Sequence, residues 1–510
     1  MADWNAGYVA DIGYTFGYYP ELNPLCARLA FLNAGLVPPG PGTHCELGFG
    51  QGVSVNIHAA ASGGTWYATD FNPAHAAFAR TLAAVSGSGA RLYDDAFADF
   101  AKRADLPDFD SIGLHGIWSW ISDENRAVIV DFARRKLKVG GVLYISYNTQ
   151  PGWAATMPLR DLLTEHANVM GATGGGIVKR IDDALSFADK LITVNATYAR
   201  ANPQVAERLK RIKEQNRNYL AHEYFNRDWL PMSFSRAAEW LAPTKLTYAC
   251  SAHYLDHIDA LNLTTEQQVL INDIPDPMFR QTVRDFCVNQ QFRRDYWVKG
   301  ERRLDAIEQT EAIRATRVIL VTMREDVSLR VTGSLGEATM HETVYGPILD
   351  ALADHQPRAL GEIEQTVAGK ASFAQVKQAA IVLIGAGSLL AVQDELVTAK
   401  VKPHCDKLNA HLLDKARGSS DISYLASPVT GGAIAVNRFQ QLFLLARSKG
   451  KKRPDEWGAF AWDILAAQGQ GLLKDGKALE SVEDNIAELT AQASTFAVKR
   501  LPILQVLGIA

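Results

Sequence analysis

The sequence predicts an α/β fold: a doubly wound sheet of parallel strands in the first third of the chain, followed by mainly α-helical regions. Three observations lead there. Between residues 43 and 148, short apolar runs alternate with amphipathic stretches, the pattern of strands joined by crossover helices. A glycine-rich turn follows the first apolar run. Helical periods then recur over Ile177 to Leu220, Met340 to Val392 and residues 425 to 510.

Taken in order, Thr43 to Leu47 reads as a first strand, and Gly48-Phe49-Gly50-Gln51-Gly52 as a turn into a helix reaching about Ser62. Thr65 to Thr69 is a second strand ending in Asp70, with Pro73 to Val85 as its helix. Ala90 to Tyr93 is a third strand, followed by Asp94 and Asp95. Phe109 to Leu114 is a fourth, Glu124 to Leu137 a helix, and Val142 to Tyr147 a fifth strand after the Gly140-Gly141 turn.

Composition bounds what such a chain can be. Its 510 residues exceed one hydrophobic core and imply about three or four domains. With 52 Lys+Arg against 56 Asp+Glu, a globally basic nucleic-acid-binding surface is excluded. Cys26, Cys45, Cys250, Cys287 and Cys405 are scattered and show no CxxC or Cys/His spacing, so no metal is expected and a reducing compartment is. Met-Ala-Asp-Trp-Asn lacks the basic-then-apolar run of a signal peptide, and the apolar stretch Ala379 to Val392 is too short to span a bilayer. A soluble cytoplasmic protein is expected, with no membrane partner.

The turn after the first strand points to a ligand. Glycines at alternate positions let the backbone approach a cofactor closely. Asp70 lies 24 residues after Glu46, at the end of the second strand, where a carboxylate accepts from both ribose hydroxyls. Asp95 is placed to accept from an adenine amino group, with Asp94 its rival. Nicotinamide dehydrogenases use a GxGxxG turn, and their pyrophosphate sits on a helix N-terminus. Here the turn reads Glu-Leu-Gly-Phe-Gly-Gln-Gly, which sets Glu46 near a ligand carrying cationic amino and sulfonium groups and no phosphate. On these residues the sequence resembles a class I S-adenosylmethionine-dependent methyltransferase, with a Rossmann-like catalytic domain and S-adenosyl-L-methionine as cofactor.

Three further stretches narrow the resemblance. They are Tyr8-Val9-Ala10-Asp11-Ile12-Gly13-Tyr14-Thr15-Phe16-Gly17-Tyr18-Tyr19-Pro20-Glu21-Leu22-Asn23-Pro24, His115-Gly116-Ile117-Trp118-Ser119-Trp120 and Ser146-Tyr147-Asn148-Thr149-Gln150-Pro151-Gly152-Trp153. Together they look like the bacterial methyltransferases with a methyltransferase regulatory domain, whose best-known members are the rickettsial protein-lysine methyltransferases. That resemblance implies a catalytic domain over residues 1–165, a helical dimerisation or linker segment over 166–235, a middle regulatory domain over 236–330 and a helical C-terminal domain over 331–510. It also implies a homodimer and a lysine-bearing protein as methyl acceptor. The cofactor would be bound by Glu46, Gly48, Gly50, Gly52, Asp70, Phe71, Asp95, His115 and Gly116.

Methyl transfer from a sulfonium is an in-line displacement, so alignment and exclusion of water dominate. A lysine nucleophile must also lose a proton, which an apolar aromatic site favours by penalising the ammonium. Aromatics gather where ligands bind, at the C-terminal strand edge: His115, Trp118 and Trp120 after the fourth strand, Tyr147, Asn148 and Trp153 after the fifth, and Tyr14, Tyr18 and Tyr19 as an N-terminal lid. Tyr14, His115, Tyr147 and Asn148 are the candidate catalytic residues. Against this, Trp118 and Trp120, two apart, would face opposite sides if extended, so one can serve the core; Tyr147 at a strand end can do the same.

In the rest of the chain, His222-Glu223-Tyr224-Phe225 either reaches into the cleft or packs on a helix face. Phe292-Arg293-Arg294-Asp295 opens the densest basic run, read as a solvated or internally paired face. The three helical stretches of 340–392 are compatible with a winged helix, but the third, from about Ser372 to Gly385, carries only Lys377 as a cation, which makes groove reading improbable. Two alternatives to a protein-lysine methyltransferase stand beside it: a small-molecule or natural-product methyltransferase, and a non-catalytic cofactor-binding adaptor.

Overall fold

A computed structural model of the chain describes residues 8, 12–171 and 174–510; Val9, Ala10 and Asp11 of the N-terminal motif lie outside the described residues. Seven strands form the main sheet: β1 (Thr43–Leu47), β2 (Thr65–Thr69), β3 (Arg91–Tyr93), β4 (Phe109–Leu114), β5 (Leu137–Asn148), β6 (Leu246–Ser251) and β7 (Phe292–Lys299). Their order is β3-β2-β1-β4-β5-β7-β6. The first five pair in parallel, and β7 runs antiparallel between β5 and β6. The order reverses at β1 and β4, the switch point beyond whose C-terminal ends a doubly wound sheet binds its ligand.

The five strands expected from the first third are present, and the sheet continues beyond them. β6 and β7 come from the stretch expected to form a middle domain, so residues 1–165 do not complete the sheet. The reason is visible in β7, which buries Arg293 and Asp295 in the sheet. Arg293 pairs with Asp285 at 2.5 Å and with Asp295 at 2.9 Å, while its guanidinium lies over the Phe234 ring. A strand with charges on its inward face has no apolar alternation to announce it.

Alternation along β5 sorts the two faces of the sheet. Val142 and Tyr144 join a core shared with helix Pro24–Asn33, whereas Leu143, Ile145 and Tyr147 join the core under helices Asp123–Lys136 and Phe234–Leu241. Helices Met157–Val169, Gly176–Thr193, Gln204–Lys213 and Arg217–Tyr224 build a separate core around Leu163, Ile181, Leu185, Leu209 and Leu220.

Helices Glu342–Asp350, Leu360–Thr366 and Phe373–Gly385 occupy the region of the three expected helical stretches, beside antiparallel strands Arg358–Ala359, Arg317–Leu320 and Leu389–Ala391. The third helix buries Val376 and Ala379 to Ile384, so its apolar face is core and not a groove reader. Helix Glu395–Lys415 then packs on helices Val53–Ala61 and Pro73–Ser86 of the main sheet. Among the described residues, no helix is long and apolar enough to cross a membrane.

Candidate active site

The site begins where β1 ends. Gly48, Gly50 and Gly52 have φ of +76°, +56° and +72°, the left-handed region that glycine reaches without strain. At Gly52 a Cβ would stand 2.4 Å from the Ala79 Cβ, so the turn also needs glycine for the close approach of helix Pro73–Ser86. The turn is tied to β2: the Gly48 N–H donates to the Thr69 carbonyl at 2.8 Å, and the Gly50 N–H to Asp70 Oδ2 at 2.8 Å. Asp70 Oδ1 accepts from the Asn72 N–H at 3.0 Å and lies 3.3 Å from His75 Nδ1. A carboxylate has about four acceptor positions, so these bonds leave Asp70 capacity toward a ligand while fixing its orientation.

Glu46 lies beneath the turn, 1% exposed, and its Oε2 has no hydrogen-bond partner. Burial, with nearby Asp70 adding repulsion, pushes its carboxyl up to about 8. At the end of β3, Asp95 lines the cleft with Oδ2 held by Arg103 at 3.0 Å, whereas Asp94 pairs with Arg80 at the surface and does not line it. Phe71, Phe97, Ile117 and Trp120 supply apolar walls.

A strap over residues 12–19 closes the other side. The Ile12 carbonyl lies 3.0 Å from His222 Nε2, and the Gly13 and Tyr14 carbonyls accept from Asn218 Nδ2 at 3.3 Å and Gln51 Nε2 at 3.1 Å. The Tyr14 hydroxyl donates to Glu223 Oε1 at 3.3 Å. Tyr19 stacks on His115 with ring centres 3.7 Å apart, and His115 Nδ1 lies 2.8 Å from the Tyr144 hydroxyl. Burial lowers His115 and His222 to about 4, so both imidazoles are neutral at pH 7. Tyr18 turns away from the cleft, its ring against His58 and Tyr424.

Of the residues expected to form the site, the structure brings Tyr14, Gly48, Gly50, Gly52, Asp70, Phe71, Asp95, His115 and Gly116 to one cleft, with Glu46 under its floor. Tyr147 and Asn148 do not line it. Tyr147 is 1% exposed and its hydroxyl donates to Asp295 at 3.0 Å; Asn148 Oδ1 accepts from Trp153 Nε1 at 3.1 Å, and its backbone pairs with Phe292. The physical reason is β7: it extends the sheet alongside the end of β5, so positions that would be a strand mouth become core. Trp118 is core too, donating from Nε1 to Met232 Sδ, while Trp120 faces the cleft. His222, Glu223 and Asp228 also line it, contributed by helix Arg217–Tyr224 and the loop after it. For His222 and Glu223 the signal in the sequence is the His222-Glu223-Tyr224-Phe225 stretch, which carries no strand-end position to mark it, and Asp228 has no such signal.

These residues fit the cofactor that the resemblance implies: an orphaned buried carboxylate suits an ammonium, Asp70 suits ribose hydroxyls, and Asp95 beside Phe97 suits an adenine. Comparison with known proteins agrees with the architecture. Residues 216–299 match the family model described as "Predicted methyltransferase regulatory domain", a span that includes β6 and β7. The chain is 40% identical to the uncharacterized protein sll1526 of Synechocystis over 99% of each chain. It is 26% identical over 196 residues to the uncharacterized protein RP789 of Rickettsia prowazekii, covering 36% of this chain and 33% of that one. PKMT2 from Rickettsia typhi, solved in complex with AdoHcy, has a similar fold, with a TM-score of 0.71 at 17% identity over 97% of this chain and 99% of that one.

Proposed function

The chain belongs to the family of class I methyltransferases that carry a methyltransferase regulatory domain, and from that premise we propose that it transfers the methyl group of S-adenosylmethionine to lysine side-chain amines of a protein. The observation that carries the amine reading is the charge of the cleft. Asp70, Asp95, Glu223 and Asp228 line it, Glu46 lies below, and among the described residues no Lys or Arg does. Arg103 pairs with Asp95 and Arg227 with Asp228, which among the described residues leaves Asp70, Glu223 and Glu46 without a Lys or Arg partner. Such a surface favours cations, and both the acceptor ammonium and the cofactor's amino and sulfonium groups are cationic.

When bound, the cofactor supplies an electrophilic methyl group. Glu46 would hold its ammonium, Asp70 its ribose hydroxyls and Asp95 its adenine amino group. Tyr14, Tyr19 and the strap exclude water on one side, and Phe71, Phe97 and Trp120 on the other. Their ring faces attract the sulfonium and the methylated amine by roughly 0.5–2 kcal/mol each. The AdoHcy complex of the structurally similar PKMT2 supports the cofactor. A homodimer belongs to the same reading, supported by Val169, Met170 and Val194, which are 72%, 70% and 73% exposed around the helical segment and would be covered by a second copy. So does a cytoplasmic setting, in keeping with five free cysteines.

The test is incubation of the purified chain with tritiated S-adenosylmethionine and a bacterial lysate, followed by mass spectrometry of labelled material. Methyl-lysine in protein is expected. Label confined to small molecules, or absent altogether, would overturn the lysine reading.

A further inference from the structure

Two carboxylates of the cleft, Glu223 and Asp228, are used by no part of the cofactor, and Asp228 is paired with Arg227. Glu223 projects from helix Arg217–Tyr224, and among the described residues its hydrogen-bond partner is the Tyr14 hydroxyl on the strap. Four features make it unlike a packing residue. It faces the cleft while its helix neighbours Leu220, Ala221 and Tyr224 are buried in the helical core. Among the described residues it has no ion pair, although the chain forms many. It shares the cleft with the glycine turn and His115, the elements expected to hold the methyl donor. It is also enclosed by rings: those of Tyr14 and His222 meet edge to face with centres 5.0 Å apart, and Tyr8 lies 5.3 Å from His222.

We propose that Glu223 is a catalytic residue, the proton acceptor for the incoming amine, and that Tyr14 is the positioning residue that orients its carboxylate. The proposal rests on the amine reading above. An R–NH3+ group entering the cleft donates one N–H to Glu223; that bond breaks, the proton passes to a carboxylate oxygen, and the lone pair stays on nitrogen. The lone pair forms the N–CH3 bond as the S–CH3 bond breaks, its electron pair leaving with sulfur. The product is a methylammonium and a thioether, and Glu223 returns its proton to solvent.

The surroundings suit this task. Glu223 interacts with Tyr8, Tyr14 and Tyr19 from the N-terminal side and with Tyr219 and Tyr224 of its own helix, and it shares the cleft with His222, Asp70, His75 and Asp228. Burial raises the tyrosines and lowers His222 to about 4, so these rings stay neutral at pH 7. Burial likewise pushes Glu223 up to about 7, against the lowering effect of the Tyr14 hydrogen bond. A base near neutrality can take the proton that an amine, with an ordinary value of about 10.4, must lose before it attacks.

The experiment compares wild type, Glu223→Gln and Tyr14→Phe, with thermal melting to verify folding. AdoHcy affinity by calorimetry is expected to be the same for wild type and Glu223→Gln. On AdoHcy-loaded protein, n-butylamine serves as the probe for a lysine side chain: wild type should bind it, and Glu223→Gln at least about tenfold more weakly. In methyl transfer to lysate protein, Glu223→Gln should lose about 100-fold or more of kcat and the acid limb near pH 7. Tyr14→Phe should lose less and move that limb to higher pH, because the bond that lowers Glu223 is gone. Equal n-butylamine binding by Glu223→Gln and wild type, or no binding by loaded wild type, overturns the assignment of Glu223. A wild type that binds no AdoHcy, or labels no protein, instead sinks the function reading itself.

Discussion

Glu46 shows what a single carboxylate does when it is held out of water. Raised to about 8 in the folded chain, it keeps its proton at pH values where the unfolded chain, with an ordinary value of 4.5, has released it. The sign follows: its contribution to stability is fully present below about 4.5 and is lost as pH rises through about 8. A ligand ammonium placed on Glu46 reverses that shift, so binding should expel the proton and affinity should rise with pH between about 7 and 8. Calorimetry of AdoHcy at pH 7 in buffers of different ionisation enthalpy should therefore show release approaching about one proton for wild type. Glu46→Gln should release none and bind more weakly; wild-type binding without proton release would place the ammonium elsewhere. Glu46, Asp70 and Asp95 were legible in the sequence because a strand end is a marked position. Tyr147 and Asn148 occupy an equally marked position and were misleading, since whether β5 opens onto a cleft or runs on beside β7 depends on residues some 145 positions later. For Glu223 the sequence leaves the cleft and the packing reading both open, because nothing local says which face of an eight-residue helix meets a cleft.

Strands β1, β2 and β4 match their expected limits, Thr43–Leu47, Thr65–Thr69 and Phe109–Leu114, because parallel strands buried on both faces read as apolar runs. β7 escaped for the opposite reason: its buried ion pairs look in sequence like a solvated basic run, although the internally paired reading of Arg293 holds. The glycine turn makes a sharper statement about elements. Gly52 caps helix Val53–Ala61 at φ +72° and would bring a Cβ to 2.4 Å from Ala79 Cβ, whereas Gly116, at φ +65°, has open space where its Cβ would be. Both positions carry the left-handed penalty of roughly 1–2 kcal/mol for a substituted residue. Only Gly52→Ala must also push two helices apart, adding about 1–3 kcal/mol. In urea denaturation Gly52→Ala should lose clearly more stability than Gly116→Ala, and its AdoHcy affinity should fall as the turn shifts. Equal losses would show that backbone conformation alone, and not helix approach, demands glycine at position 52.

At the scale of the molecule, the resemblance implies a catalytic domain over residues 1–165, followed by dimerisation, regulatory and C-terminal regions. The structure gives part of that remainder a plainer duty. All nine residues of helix Val53–Ala61 are buried, which a helix on one sheet face cannot achieve unless something covers its other side. Helix Glu395–Lys415 and the hairpin Tyr424–Ser427/Gly432–Ala435 do so, placing Val53, Ile57, Ala60, Ala61 and Leu82 in one core with Cys405, Leu408 and Leu412. Polar contacts reinforce it: Gln393 Nε2 donates to the Ala61 carbonyl at 2.9 Å, and Asn23 Nδ2, just past the strap, to the Thr430 carbonyl at 3.0 Å. The helix that carries the glycine turn is thus held from both sides, so cofactor binding and C-terminal packing are one structural property. A fragment of residues 1–300, which retains all seven strands, should expose that apolar face, aggregate, and fail to bind AdoHcy. In the full chain, Leu408→Ala, although it lines no part of the cleft, should cost about 2–5 kcal/mol in denaturant unfolding and weaken AdoHcy, with sheet and C-terminal region unfolding in one transition. A fragment that remains monomeric and binds AdoHcy as the full chain does would show instead that the sheet holds the turn unaided.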